Sequence, residues 1–130
     1  MKNYIWFNPV VKKLTNQSEL ETFMKTFNYE EVNTNANYLE VVRDKYNKHV
    51  KECCNLTVDM RCPLAAEYVK DNYDCNYNYP DIHPILVHYA IELANLYIKS
   101  KTDYLIITTP CLSLAEYGNK LGITNVRFVP

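Results

Sequence analysis

The sequence predicts an α/β fold: a single three-layer domain over residues 1–130, with a mainly parallel sheet of about four or five strands and helices on both faces. Short apolar runs rich in β-branched and aromatic residues alternate with longer segments whose apolar residues recur every three or four positions. Strands that alternate with helices in this way are typical of parallel sheets with right-handed crossovers. A chain of 130 residues buries roughly two thirds of its unfolded surface, so we expect it to fold without disulfides.

Five short apolar runs are the predicted strands. The run at residues 104–107 is not interrupted by polar residues, as expected of a central parallel strand. The run at residues 4–7 is stopped by Asn8-Pro9, and the run at residues 31–33 is the weakest. The strands are predicted at residues 4–7, 31–33, 56–60, 104–107 and 126–129.

Five helices are predicted from apolar periodicity and from their terminal residues. Ser18 followed by Glu21 has the spacing of a capping box, and Pro63 suits the first turn of a helix, where its missing N–H group costs nothing. The helix that begins at Pro84 has so broad an apolar face that we expect it in the core. Gly122 is the expected C-terminal cap of the last helix. The helices are predicted at residues 19–27, 38–51, 64–72, 84–98 and 112–121.

The composition excludes several classes of partner. The chain has 14 Lys and Arg residues against 15 Asp and Glu residues, and no basic run is dense enough to neutralise phosphates, so we expect no nucleic-acid partner. No apolar stretch reaches the length of about 20 residues that spans a bilayer, and no signal peptide is recognisable. We therefore expect a cytoplasmic protein that makes no membrane contact. The five cysteines, an odd number, indicate free thiols or metal ligands rather than a disulfide framework.

Two cysteines stand beside prolines where predicted strands end, in Arg61-Cys62-Pro63 and in Pro110-Cys111. In open α/β sheets, ligands bind in the crevice outside the carboxyl ends of the strands. We therefore predict that both thiols face one site. Besides the two cysteines, the residues expected to line this crevice are Pro9, Arg61, His83, Pro110 and Leu114.

The remaining cysteines and two of the histidines are expected to bind no metal. Cys53-Cys54 and Cys75 lack the spacing of a structural zinc site, although Cys75 is expected to be exposed. His88 lies on the narrow polar stripe of its predicted helix, so we expect a surface histidine. His49, near the end of its helix, is expected only to interact with the helix dipole.

Ordered fragments along nearly the whole chain resemble the catalytic domain of the iron-only hydrogenases. Arg61-Cys62-Pro63 matches the family's first cluster motif, TSCCPxW, and Pro110-Cys111 matches its second, MPCxxK. A strand with a proline turn at residues 7–10, an LGFDEVF-like segment at 27–33 and a KSP-like helix start at 82–84 occur in the family's order. The resemblance implies that Cys62 and Cys111 match two of the four cysteine ligands of an iron–sulfur cubane.

The chain departs from the hydrogenase pattern at residues that serve chemistry. The family's other two cluster ligands belong to a C-x-x-x-C motif that does not occur in these 130 residues. Arg61 stands where the family has a proton-delivering cysteine, and arginine does not release its proton at working pH. Leu114 stands where the family has a lysine that contacts the two-iron subsite. We therefore expect no intact hydrogenase reaction from this chain alone.

Three functions remain open, and we favour the first. The first is a non-catalytic hydrogenase-like domain that acts as a binding, regulatory or assembly module. The second is an iron–sulfur or metal-binding protein whose Cys62 and Cys111 site is completed by a second chain, in a homodimer or with another protein partner. The third is a thiol-dependent enzyme that uses Cys111, since a helix N-terminus favours the thiolate. No cofactor is assured, and an iron–sulfur cluster is expected only if a partner chain supplies further ligands.

Overall fold

The computed structural model describes residues 2–52 and 56–130, which form six helices and four strands. Cys53 and Cys54 lie outside the described residues. No helix in the described part of the chain has the length and apolar character needed to cross a membrane. The elements in chain order are β1 (Asn3–Trp6), α1 (Pro9–Leu14), α2 (Gln17–Phe27), β2 (Tyr29–Glu31), α3 (Tyr38–Glu52), α4 (Pro63–Asn72), α5 (Ile85–Tyr97), β3 (Tyr104–Thr108), α6 (Leu112–Lys120) and β4 (Val126–Val129).

The strands form one parallel sheet in the order β2-β1-β3-β4, which confirms the predicted α/β class. The two central strands pair from Asn3 opposite Tyr104 to Trp6 opposite Ile107. The chain leaves β1 toward β2 on one side and later enters β3 on the other side, so the strand order reverses between β1 and β3. Such a reversal opens the crevice in which doubly wound sheets bind ligands, at the carboxyl ends of the strands.

The core lies between the central strands and α5. Leu105 and Ile107 are fully buried and point to the same face of β3, because side chains alternate along a strand. Leu86, Ala90 and Leu93 recur along α5 at the spacing of one helix face and belong to the same cluster. The prediction that this helix lies in the core is therefore confirmed.

Helix α6 approaches the sheet at a position without a side chain. A Cβ atom on Gly118 would lie 2.5 Å from the Phe128 ring, so glycine is what allows the helix this close to β4. The next residue, Asn119, pairs with the backbone of Phe128: its amide N–H donates to the carbonyl at 3.0 Å, and its Oδ1 accepts the N–H at 2.8 Å. These contacts fix α6 on β4.

Two predictions are wrong in the first third of the chain. Asn8-Pro9 ends β1, but it also begins α1, which was not predicted: the Asn8 side chain accepts the N–H of Val10 at 2.9 Å, and Pro9 occupies the first turn. The second strand begins earlier than predicted. Asn28 ends α2 in the left-handed conformation (φ 58°), and β2 follows at the next residue.

The strand predicted at residues 56–60 is also wrong. This segment makes one isolated bridge, between Thr57 and Asn78, and joins no strand of the sheet. The Asp59 carboxylate accepts the backbone N–H of Arg61 at 2.9 Å and so turns the chain. A short apolar run by itself does not distinguish a strand from an irregular segment, so the pattern at residues 56–60 predicts a strand that does not form.

Candidate functional site

One hydroxyl ties the two central strands together at their carboxyl ends. The Thr108 hydroxyl donates to the Trp6 carbonyl at 2.9 Å and accepts the N–H of Asn8 at 3.0 Å. These bonds join β3 to the turn after β1 at the point where the strand order reverses. The edge of the sheet at which ligands of this fold class bind is thereby fixed, three residues before Cys111.

Cys111 is the N-cap of α6. Its backbone is extended (φ −124°, ψ 119°), and its carbonyl accepts the N–H of Ala115 at 3.1 Å. Its own N–H donates to the hydroxyl of the buried Thr109 at 3.2 Å, while its Sγ lies 3.1 Å from Ser113 Oγ. The Ser113 hydroxyl, followed by the backbone N–H groups of Leu114 and Ser113, holds the pKa of the Cys111 thiol below its ordinary value. This half-buried thiol is therefore more readily ionised at neutral pH than a free cysteine.

Cys62 has the same local geometry at the start of α4. Its backbone is extended (φ −111°, ψ 101°), and its carbonyl accepts the N–H of Ala66 at 3.1 Å. Helices α4 and α6 are in contact. The structure therefore places both predicted thiols at the N-termini of two neighbouring helices. They differ in environment, because Cys62 is exposed and follows the irregular segment, whereas Cys111 is half-buried and follows β3.

Arg61, beside Cys62, is engaged by a carboxylate. Its Nε lies 3.0 and 2.9 Å from the two Asp59 oxygens, and its Nη2 lies 2.5 Å from Oδ2. This side-chain hydrogen bonding lowers the pKa of Asp59 and raises that of Arg61. The Tyr46 hydroxyl accepts the Met60 N–H at 2.8 Å next to this pair, and burial raises the pKa of Tyr46. The guanidinium therefore keeps its proton at every working pH.

The residues predicted to line one crevice have different surroundings. Pro9 lies on an open cleft at the end of β1, together with Trp6. Arg61 lines a second cleft, against α3. Pro110 is exposed on the turn between β3 and α6, and Leu114 is half-buried and packs against the hydrophobic core. Pro9 and Arg61 thus line two different clefts.

His83 belongs to a histidine pair that the sequence did not suggest. The rings of His83 and His88 are 6.2 Å apart, Nδ1 of His83 lies 3.3 Å from the Tyr117 hydroxyl, and Tyr38 stacks on His88 at 5.5 Å. The expectation of a surface position for His88 is wrong: it is half-buried, and among the described residues its Nε2 has no hydrogen-bond partner. Burial, followed by the charges of Lys45 and His83, lowers the pKa of His88. Because His83 precedes α5, no helical spacing indicated this pair.

The donors in the described part of the chain do not form a cubane site. Over residues 2–52 and 56–130, no three His, Cys, Asp or Glu side chains are grouped closely enough to hold a metal ion. A four-iron cubane takes four thiolate-class ligands. The described cysteines are Cys62, Cys75 and Cys111, and Cys75 is exposed in the loop after α4.

Comparison with known proteins returned no relative: no family model matches the chain, and no curated protein or solved structure matches it significantly. The likeness to the iron-only hydrogenases therefore stays a prediction from the residues quoted above. The site is defined by its own geometry, which is a pair of cysteines that cap two neighbouring helices, one of them favoured as a thiolate.

Proposed function

We propose that this chain is a non-catalytic, hydrogenase-like binding module whose binding surface is formed at the helix starts of Cys62 and Cys111. The observation that carries the proposal is the shared backbone geometry of these two cysteines at the N-termini of two helices in contact. A helix N-terminus favours an anion, and thiolates bind soft metal ions and iron–sulfur clusters. The surface therefore suits a soft ligand rather than a phosphate or a nucleic acid.

Arg61 supports the absence of hydrogen chemistry. Its guanidinium is held by Asp59 through three contacts of 3.0 Å or less, and its pKa is raised further by that carboxylate. A group that remains protonated does not pass protons to a neighbouring site. The position beside Cys62 therefore carries a guanidinium that stays protonated and paired with Asp59, where the hydrogenases have a titrating thiol.

Leu114 supports the same conclusion at the other cysteine. Its side chain packs against the buried cluster that includes Leu105 and Phe128, so it contributes to the seating of α6. An apolar side chain in the core makes no charged contact with a bound group. The residues that flank both cysteines thus serve folding and charge balance.

A hydrogen-evolution assay tests the non-catalytic assignment. We expect the purified chain, incubated anaerobically with iron, sulfide and a synthetic two-iron complex, to evolve no more hydrogen from reduced methyl viologen than the Cys62→Ala, Cys111→Ala double variant does. The matched control is Cys75→Ala, which leaves both helix starts intact. Hydrogen evolution that requires Cys62 and Cys111 would contradict the proposal.

A second candidate function is a metal or iron–sulfur site shared by two copies of the chain. It is favoured by the exposure of Cys62 and by the mismatch between the donors of the described residues and a four-ligand cluster. A two-fold axis brings the same residues together from both chains, so two copies would supply four thiolates. The cluster would then depend on association of the chains.

Anaerobic reconstitution with iron and sulfide tests this second function. We expect iron to co-elute with a species of twice the 15.3 kDa chain mass, and we expect the double variant at Cys62 and Cys111 to lose both the iron and the association. The Cys75→Ala variant should retain them. Equal iron content in the double variant and the wild-type chain would rule out the shared site.

A further inference from the structure

The cleft that Arg61 lines is formed on its other side by one face of α3. Leu39, Val42, Arg43, Tyr46 and Val50 line it, and their spacing of three and four residues places them on one side of the helix. The opposite wall comes from the irregular segment and from the first residue of α5. The cleft has a volume of about 320 Å³, which lies at the lower end of the range of about 300–1,000 Å³ for small-molecule sites.

The apolar part of this cleft is open to solvent at its rim. Leu39 and Val50 are each 57% exposed, although both lie on the face of α3 that also carries Val42, which is 1% exposed. A ligand with a hydrocarbon body would cover both rim residues and rest on Val42. Burial of apolar surface at about 25 cal/mol per Å² favours such a ligand.

The charged part of the cleft has one unmatched group. Asp59 and Arg61 both line the cleft, and their charges cancel in the ion pair described above. Arg43 lines the cleft as well, and among the described residues its Nε reaches only Asp44, at 4.0 Å, in a pair whose side chains are 64% and 74% exposed. Exposed pairs of this kind contribute little to stability, so the guanidinium is available to a better-placed anion. A single carboxylate matches its planar donors and its charge.

We propose that this cleft binds an aliphatic monocarboxylate, with the carboxylate on Arg43 and the hydrocarbon chain against Leu39, Val42 and Val50. The cleft offers one unmatched positive charge at an apolar trough, and an aliphatic acid presents the complementary pair of features. Neither Cys62 nor Cys111 lines this cleft, so its test does not depend on any metal or cluster.

Titration of the full chain with octanoate, followed by calorimetry, tests the proposal. We expect saturable binding that weakens about tenfold in Arg43→Gln, which removes a charge-assisted hydrogen bond. 1-Octanol has the same hydrocarbon chain without the charge. We expect the wild-type protein to bind it no more tightly than Arg43→Gln binds octanoate. The matched control is Lys48→Gln, an exposed cation on the same helix that does not line the cleft, and it should bind octanoate unchanged.

A second variant keeps the test independent of Arg43. Leu39→Glu places a carboxylate at the exposed rim and should abolish octanoate binding while the circular dichroism of the protein stays unchanged. The proposal is overturned if octanoate does not bind saturably, if octanol binds equally well, or if Arg43→Gln binds like the wild type. Binding of acetyl-Leu-Leu without binding of octanoate would assign the cleft to peptide carboxyl termini and would also overturn it.

Discussion

The two cysteine corners, Arg61-Cys62-Pro63 and Pro110-Cys111, have the same helix-capping geometry. They differ in the structure that precedes each cysteine. Cys111 follows β3, whose Leu105 and Ile107 are fully buried, and the Thr108 hydroxyl ties that strand to the turn after β1. Cys62 follows residues 56–60, which make one isolated bridge and whose Leu56 is 73% exposed. In both corners the cysteine is extended and caps a helix.

The difference separates what local chemistry determines from what the whole fold determines. A helix start depends on a few neighbouring residues, such as the proline after Cys62, and these act in the same way in either setting. Rigidity depends on pairing between strands that are distant in sequence. We therefore expect the Cys111 corner to open only when the whole domain unfolds, whereas the Cys62 corner, which no strand of the sheet supports, should open in a smaller local event.

Truncation of one apolar residue in the segment before each cysteine should give the largest difference in the free energy of unfolding. Leu105→Ala removes a fully buried side chain from β3, and we expect it to lower the free energy of unfolding by about 3 kcal/mol. Val58→Ala changes a half-buried residue in the irregular segment, and we expect a loss below about 1 kcal/mol. Urea denaturation measures both. Equal losses would show that the segment before Cys62 is as well supported as β3.

Substitutions in the two helices that the cysteines cap should give the second-largest difference in stability. Gly118→Ala forces a Cβ against the Phe128 ring, and we expect a loss of about 1–3 kcal/mol despite the better helix propensity of alanine. Glu67→Ala changes an exposed position of α4, and we expect an effect within about 0.5 kcal/mol. Thermal unfolding distinguishes the two. A neutral Gly118→Ala variant would mean that α6 is not tightly packed on β4.

The reactivity of Cys111 should depend on its own helix start. The Ser113 hydroxyl is the main cause of the lowered pKa of this thiol, so Ser113→Ala should raise that pKa and reduce the thiolate fraction at pH 7. We expect the rate of alkylation by iodoacetamide to fall, because the thiolate is the reacting species. Cys62 in the same sample is the internal control and should react unchanged. A Cys111 rate that does not respond to Ser113→Ala would refute the assigned cause.

The smallest effect is expected at the ion pair beside Cys62. Hydrogen bonding from Arg61 lowers the pKa of Asp59, so the pair stabilises the fold above pH 4 or so, and this contribution is lost as the pH falls through the lowered pKa. Because both side chains are more than half exposed, we expect Arg61→Gln to cost less than about 1 kcal/mol at pH 7. The difference from wild type should vanish in acid. A stability difference that grows on acidification would contradict the lowered pKa of Asp59.

The sequence predicted the parts of the fold that depend on local pattern. The uninterrupted run that became β3, the broad apolar face of α5 and the proline at the start of α4 each specify an element without reference to the rest of the chain. The strand predicted at residues 56–60 is wrong because an apolar run becomes a strand only when it pairs with a neighbouring strand. This segment instead makes an isolated bridge to Asn78. Helix α1 was missed because Asn8-Pro9 suits both the end of a strand and the start of a helix.

The candidate site was predicted in part for the same reason. Cys62 and Cys111 were found from their prolines, which are local signals, and both do begin helices. The position of Leu114 against the core and the pairing of His83 with His88 depend on how helices pack, so the sequence did not give them. The ion pair of Arg61 with Asp59 joins residues two positions apart, and it forms because the segment turns there instead of continuing as the predicted strand.

A cadmium titration tests most directly whether Cys62 and Cys111 act as one thiolate surface. The titration uses a chain in which Cys53, Cys54 and Cys75 are changed to serine, so that only the two helix-capping thiols remain. We expect the thiolate-to-cadmium absorbance to saturate at one ion per chain, as a common surface on each chain requires, and we expect either Cys62→Ala or Cys111→Ala to lower both its amplitude and the affinity. If either single variant keeps the absorbance and the affinity of its parent, the two corners are independent thiols and do not form a common surface.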